Sequence, residues 1–248
     1  ATNLKEHSKP RHERRKKSTL MSFNFRSSSR RLSSRTISSS SYDAKVSATP
    51  SVNEAAIKKM FASYADEDDE YIASMEGIAK LGEDIEIDAL EDVRILVLLW
   101  KLGAKDKPAQ INRDEWMKGC AELQIDSVAK LKALIPSLDL GFLDETAFLG
   151  FYEFAFQFSR EGTHRTLDKG LVIELMKLVL VNRIDQVRID SVVGFLENQN
   201  DVNRITLDQW KQVFSFLNEV QDVETDYDED GAWPVLIDEY VEYLKTKK

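Results

Sequence analysis

Cysteine is nearly absent from this chain of 248 residues. Cys120 stands alone, which excludes an intramolecular disulfide and a disulfide-stapled scaffold, and fits a reducing compartment. Histidine is almost as rare, and His7, His12 and His164 do not stand at metal-ligand spacing from Cys120. Long apolar runs are missing. The longest, Ile95 to Trp100, is far too short to span a bilayer, so no membrane span is expected. No secretory leader is expected, since the given sequence opens with no hydrophobic region, and if a methionine was removed ahead of Ala1 no myristoylation is expected. A GxGxxG, a P-loop and any Ser-His-Asp or Cys-His nucleophile arrangement are also lacking. No catalytic residue and no cofactor are therefore expected, and function is expected to lie in binding surfaces.

What is present is charge, unevenly placed. The net charge is −9. Residues 1–45 hold twelve Lys/Arg against three Asp/Glu, a balance of +9, which leaves −18 on the remainder. Residues 1–50 are rich in serine and arginine with few apolar side chains, so they bury too little surface to offset ordering and read as a disordered basic arm. Arg14-Arg15-Lys16-Lys17 resembles a nuclear-import patch. It would equally suit anionic lipid or nucleic acid, and an organelle transit peptide or a merely solubilising tail fits the same composition. The expected location is nucleus and/or cytoplasm, with no nucleic acid required.

From residue 51 the pattern is helical, and a hydrophobic content of 42% supplies a sizeable core. Ser51-Val52-Asn53-Glu54 reads as a capping box, followed by Ile57, Phe61 and Tyr64 on one face. Asp88-Ala89-Leu90-Glu91 is expected to open the most apolar helix, through Ile95, Leu96, Leu98, Leu99 and Trp100, with Gly103 as its stop. Phe148, Phe151, Ala155 and Phe158 share one helical face; Phe154 and Phe156 lie off it and are candidates to meet the other half of the chain. Cys120 shares a face with Trp116 and Leu123 and reads as a buried, inert thiol.

An internal repeat organises these helices. Ile111-x-x-Asp114-x-Trp116 recurs as Ile205-x-x-Asp208-x-Trp210, 94 residues later, and the segments around Ile72–Ile78 and Arg165–Leu171 repeat at about the same interval. The expectation is an all-α fold: two EF-hand-like helical lobes packed together, roughly 51–140 and 141–248, in one 51–248 domain behind the 1–50 arm. Strands are expected only as brief pairings at loops.

The acidic loops invite a calcium reading. Asp226-x-Asp228-x-Asp230-Gly231 matches the first half of an EF-hand loop, where oxygens alternate and the sixth residue is glycine. The second half fails, because Ile237 stands at position twelve, where a bidentate glutamate should close the shell. Asp66-x-Asp68-x-Glu70 fails at Tyr71 and Gly77. Helix–loop–helix architecture without metal is the better account.

One further stretch stands out near the end of the chain. In Tyr227-Asp-Glu-Asp-Gly-Ala-Trp-Pro-Val-Leu-Ile-Asp-Glu-Tyr-Val-Glu-Tyr-Leu244 an acidic run enters a glycine turn, and Pro234 suits the first position of a helix whose face is Leu236, Ile237, Tyr240, Val241 and Leu244. The residues alone read either as a rigid acidic presentation surface or as a solvated helix entry. With Leu96-Val-Leu-Leu-Trp-Lys-Leu102, Lys130-Leu131-Lys132-Ala133 and Phe151-Tyr-Glu-Phe-Ala-Phe156, this stretch resembles the defective-in-cullin-neddylation family over about residues 57–244.

The resemblance implies a potentiating-neddylation domain. Such a domain binds the cullin C-terminal region, with a cullin-bound RING protein as a possible further partner. It also binds the N-acetylated neddylation-conjugating enzyme, and speeds transfer of the ubiquitin-like modifier to a cullin lysine without catalytic residues of its own. The implied cullin-binding residues are Asp208, Ala232 and Asp238. The implied pocket for the acetylated enzyme N-terminus is Met75, Ile78, Ile95, Leu98, Ile111, Phe158, Leu175 and Leu178, all of which would serve equally as ordinary core. The chain departs from the family pattern by an extra residue in each of the loops around Gly82–Asp88 and Gly103–Asn112, beside Pro108 and Ala109. It also carries the basic arm in place of the ubiquitin-binding domain of some members. The competing readings are an EF-hand-like calcium sensor using Asp226, Asp228 and Asp230, and a helical adaptor that promotes no transfer.

Overall fold

The β-pairings expected at the loops provide the frame on which the helices are hung. The structure, a computed structural model, describes residues 52–247; the expectations for the arm over residues 1–50 lie outside that range. The first lobe runs α1 (Glu54–Ala62), β1 (Ile72–Ala73), α2 (Met75–Ile85), α3 (Val93–Leu102), β2 (Ile111–Asn112) and α4 (Arg113–Glu122). Then come α5 (Val128–Leu134) and two 3₁₀ turns, Ile135–Leu138 and Leu140–Phe142. The second lobe repeats the order: α6 (Glu145–Phe158), β3 (Thr166–Asp168), α7 (Lys169–Val179), α8 (Gln186–Asn198), β4 (Arg204–Thr206) and α9 (Leu207–Glu219). A short α10 (Val223–Asp226) and α11 (Val235–Thr246) follow.

In each lobe the loops of two helix–loop–helix units clasp as an antiparallel ribbon. Ala73 faces Ile111 in the first, and Leu167 faces Ile205 in the second. The apolar residue of each ribbon is buried, so the pairing seals the end of its lobe. Outside these ribbons the described residues contain no other strand, and the all-α expectation is met.

The helix starts follow local chemistry. Asn112 and Glu115 form a reciprocal capping box on α4, and Thr206 with Gln209 forms the same device on α9. Glu115 also reaches out, accepting from Lys105 N and Asp106 N at 2.8 Å each, which pins the loop after α3.

Three expected starts are shifted. Helix α1 is capped by Asn53, whose side chain accepts from Ala56 N; Ser51 lies outside the described residues. Helix α3 begins at Val93 under an Asp92 cap rather than at Asp88, because Asp88 turns its carboxylate onto Leu90 N and Glu91 N and closes a separate turn. Pro234 caps α11 instead of opening it: its ψ of 149° is extended, and the first helical residue is Val235. Gly103 ends α3 at φ 81°, a conformation that an L side chain adopts only with strain.

Helix α6 is the internal post of the fold. It packs on α3 of the first lobe and on α7 and α9 of the second. With neighbours on several sides, Phe148, Phe151, Tyr152, Phe154, Ala155, Phe156 and Phe158 are all buried, the pattern of a helix that is apolar nearly all round. Phe151 meets Trp100 of the first lobe edge-on at 6.0 Å. Phe156 meets Trp210 in its own lobe, and Phe154 stacks on Phe158 while sharing a groove with Trp100.

Among the described residues the closest aromatic pair is Tyr152 and Trp210, whose rings stack at 4.2 Å and 10°. Each donates to the other's backbone: Trp210 Nε1 to Tyr152 O at 2.9 Å, and Tyr152 Oη to Trp210 O at 3.1 Å. Its counterpart in the first lobe, Trp116, packs against Phe61 and Tyr64 with its indole N–H buried and unpaired. Cys120 is wholly buried, and that burial pushes its thiol up to about 12, so it stays protonated and inert.

Arg183, in the loop after α7, ties the second lobe to the linker. Its guanidinium donates to the carbonyls of Leu140 and Leu143 and lies over the Phe148 ring.

Candidate functional site

Two surfaces stand apart from the core. The first is a groove of about 720 Å³ at the seam of the lobes. One wall is Met75 at the start of α2, the Ala89-Leu90-Glu91 turn and Leu96 on α3; the other is Leu171, Leu175 and Leu178 on α7. Pro108, Ala109 and the residues from Phe158 to Gly162 close one end. Ala109 N donates to Phe158 O at 2.8 Å, fastening the two lobes there. Ala109 holds φ 56°, a left-handed turn unusual for alanine, so this rim is set by the turn rather than by side-chain bulk.

Three large apolar side chains on this groove face water. Met75 is 40% exposed, Leu90 78% and Leu171 38%. Leaving such surface wet forgoes roughly 25 cal/mol per Å² of burial, and here three such side chains share one concave place, which makes the groove a candidate for docking.

Of the residues named from the sequence, Met75, Phe158, Leu175 and Leu178 line the groove. Ile78, Ile95, Leu98 and Ile111 do not; each is at most 2% exposed and belongs to the core. Ile78 sits about one turn after Met75 on α2, which is why helical spacing groups them although only Met75 reaches the surface. Leu90, Leu96 and Leu171 also line the groove and are not among those named. Leu90 was legible only as a helix residue, and its exposure depends on the Asp88 turn.

The second surface is acidic. Asp208, Ala232 and Asp238 are all exposed. Asp208 is the second residue of α9 and Asp238 the fourth of α11, both in a first turn where the helix dipole favours negative charge. Phe216, on α9, is the hub that carries the turn between them, contacting Tyr227, Trp233 and Tyr240 at 6.2, 5.7 and 5.6 Å between ring centroids. It stands eight residues after Asp208, about 12 Å along the helix. Ala232 and Asp238 lie on the turn and helix that Phe216 supports.

Gly231 is required at the bend, because a Cβ there would come within 2.8 Å of Asp228 O and 3.0 Å of the Trp233 ring. Tyr227 Oη donates to Asp238 Oδ1 at 2.6 Å. Burial and that carboxylate push the Tyr227 phenol up to about 12, so it remains a neutral donor around neutral pH. Lys245 pairs with Glu229 and Glu242 at 3.1 Å each, offsetting part of the acidity.

The calcium-like stretch does not sit in a ribbon loop. It spans the end of α10 and the turn into α11. Asp226 accepts from Asp222 N and Gln221 N at 2.9 and 3.0 Å, bonds that hold its carboxyl below the usual range, with a bond from Thr225 adding to them. Ile237, at the closing position, is 1% exposed on the apolar face of α11. Among the described residues no cluster of His, Cys, Asp or Glu converges in metal-holding geometry, and no helix is long and apolar enough to cross a membrane.

Comparison with known proteins places these features in context. A family described as "Cullin binding" matches residues 130–243, which contain Asp208, Ala232 and Asp238. Over 188 residues, 76% of this chain, the sequence is 37% identical to DCN1-like protein 4 of Danio rerio and 38% identical to that of Homo sapiens. It spans 65% and 62% of those two relatives, just under two thirds of their lengths. DCN1-like protein 5 of Rattus norvegicus is 34% identical, with 76% of each chain covered.

Proposed function

The chain belongs to the cullin-binding, defective-in-cullin-neddylation family, and from that premise we propose that it scaffolds cullin neddylation. In this reading a cullin C-terminal region docks on Asp208, Ala232 and Asp238. The acetylated N-terminus of the neddylation-conjugating enzyme docks in the inter-lobe groove. Holding both at once raises the effective concentration of the reactive thioester at the acceptor lysine and fixes its approach, while the chemistry stays with the conjugating enzyme. Nucleus and cytoplasm are where such partners would meet it.

The observation that carries the reading is the pairing of an open apolar groove with exposed carboxylates in the first turns of α9 and α11, neither of which lines that groove. Met75, Leu90 and Leu171 offer exposed apolar surface to a methionine side chain and the helix behind it. The acidic face offers exposed carboxylates to a basic partner and a residue as small as Ala232 for close backbone approach.

The groove makes a chemical demand. A free terminal amine is charged at neutral pH and would lose hydration among apolar walls, whereas an acetylated one is neutral. Glu91, Glu161 and Glu174 on the rim are exposed and screened by water, and Arg160 and Lys177 beside them carry the opposing sign, so they compensate little. The acetylated peptide is expected to bind at least about tenfold more tightly than the free-amine peptide, roughly 1.4 kcal/mol. Titration calorimetry of both peptides decides it, and equal affinities would remove the groove from the proposal while leaving the acidic face in place. A chain that binds both partners yet accelerates no transfer would instead be a helical adaptor.

A further inference from the structure

Among the described residues, two serine or threonine side chains have a carboxylate three residues on, the position that acid-directed serine/threonine kinases read: Ser63, with Asp66, and Thr225, with Asp228. More acids follow in both cases, Glu67 and Asp68 after Ser63, and Glu229 and Asp230 after Thr225; Asp226 directly follows Thr225 as well. Sequence alone offers both. The structure does not, and we infer that Thr225 is a phosphorylation site for an acid-directed serine/threonine kinase while Ser63 is protected by the fold.

A kinase takes its substrate as an extended segment, so the question is what each segment must give up. Ser63 ends α1 between Phe61 and Tyr64, which are 1% and 2% exposed. The Tyr64 phenol is bonded to Asp84 at 2.8 Å. Asp66, the carboxylate to be read, accepts from Ser74 N and Ser74 Oγ at 3.0 and 2.9 Å. Extending this segment would pull two aromatic side chains out of the first lobe and break the tie to α2.

Thr225 is placed otherwise. Helix α10 has four residues and none is buried. Thr225, Asp228, Glu229 and Asp230 are exposed. Thr225 Oγ1 donates only locally, to Asp226 Oδ1 at 2.9 Å, and Asp228 accepts from Asp230 N within its own turn at 3.1 Å. Extending this segment would lift the half-buried Val223 and Tyr227 from the edge of the core and break the Tyr227 bond to Asp238, but it withdraws no fully buried side chain, whereas the Ser63 segment would withdraw Phe61 and Tyr64.

In the transfer, Thr225 Oγ1 attacks the γ-phosphorus of ATP. The new O–P bond forms as the bond to the β–γ bridging oxygen breaks, ADP leaves with that oxygen, and the hydroxyl proton passes to the kinase's catalytic carboxylate. The product adds about 1.5–2 negative charges to the turn that leads to Ala232 and Asp238. Tighter, more salt-sensitive binding of a basic cullin surface would follow; that consequence rests on the proposed function, whereas the modification itself does not.

The test incubates the full chain with a purified acid-directed casein kinase, ATP and magnesium, and maps phosphate by fragmentation mass spectrometry. Synthetic peptides 59–71 and 221–233 are run alongside. Both peptides should be modified, and in the folded chain Thr225 should be modified at least tenfold faster than Ser63. Thr225→Ala should remove that signal. Asp228→Asn, which keeps an acceptor for Asp230 N, should slow it severalfold. Ser40 in the arm, with Asp43 three residues on, is read separately on the fragment map. The inference is overturned by absence of phosphate on Thr225 in the folded chain, by equal rates at Ser63 and Thr225, or by an Asp228→Asn protein modified at the wild-type rate. No outcome depends on a cullin, so failure here and failure of the scaffold reading are distinguishable.

Discussion

Replacing Asp238 with lysine is expected to abolish cullin binding while leaving the fold and the groove intact. The substitution turns attraction for a basic partner into like-charge repulsion, and where such a pair is desolvated the loss is roughly 2–5 kcal/mol. The cost to the fold is smaller. Asp238 is exposed; it gives up the 2.6 Å bond from Tyr227 and a favourable place at the start of α11. These are worth roughly 0.5–1.5 and 0.3–1 kcal/mol. The apolar face of that helix, Leu236, Ile237, Tyr240 and Val241, is untouched.

Melting should therefore fall by only a few degrees, and affinity for the acetylated peptide should be unchanged. Asp238→Asn separates charge from geometry, because the amide oxygen can still accept from Tyr227. It should bind cullin weakly but measurably. A folded Asp238→Lys protein with undiminished cullin affinity would reduce the acidic turn to a solvated helix end.

Trp210→Ala is expected to have the largest effect on stability. The side chain is fully buried, stacked on Tyr152 and bonded to it reciprocally. Truncating a buried tryptophan costs roughly 3–5 kcal/mol, and the change also strips Tyr152 O of its indole donor. For a domain of this size that corresponds to a fall in melting temperature on the order of 10 °C. Chemical denaturation of the wild type and the variant gives the number directly. A loss under about 1 kcal/mol would mean that the second lobe is not built around this pair. Trp116, with its indole N–H unpaired, has no such bond to lose, so its replacement by phenylalanine should be the milder of the corresponding changes in the two lobes.

The same particulars show what the sequence could and could not disclose. The 94-residue repeat led to the duplicated helix order and the β-ribbons, because Ile111 and Ile205 occupy equivalent ribbon positions and Trp116 and Trp210 equivalent helix positions. Helix periodicity located α3 and α6 for the same reason that they fold: their apolar residues are what the lobes bury.

Starts were less legible, since Asp88 and Asp92 are equally good caps in isolation, and only the turn bonds of Asp88 decide which one α3 uses. The groove was the least legible feature. An exposed Leu90 and a buried Ile95 look alike in a sequence, and exposure is a property of the seam between lobes, not of local spacing. The acidic turn was readable because its glycine, tryptophan, proline and carboxylates sit within one short stretch, where each constrains its neighbours.

The claim that two docking faces act together is tested most directly by reconstituted transfer. The acetylated conjugating enzyme, charged with its ubiquitin-like modifier, is mixed with a cullin–RING complex, and single-turnover transfer to the cullin is timed with and without this chain. The scaffold account predicts at least about a tenfold acceleration, equivalent to about 1.4 kcal/mol of barrier. It also predicts that the acceleration is lost with Asp238→Lys and with the unacetylated enzyme alike. An unchanged transfer rate under conditions where both partners are measurably bound would contradict it.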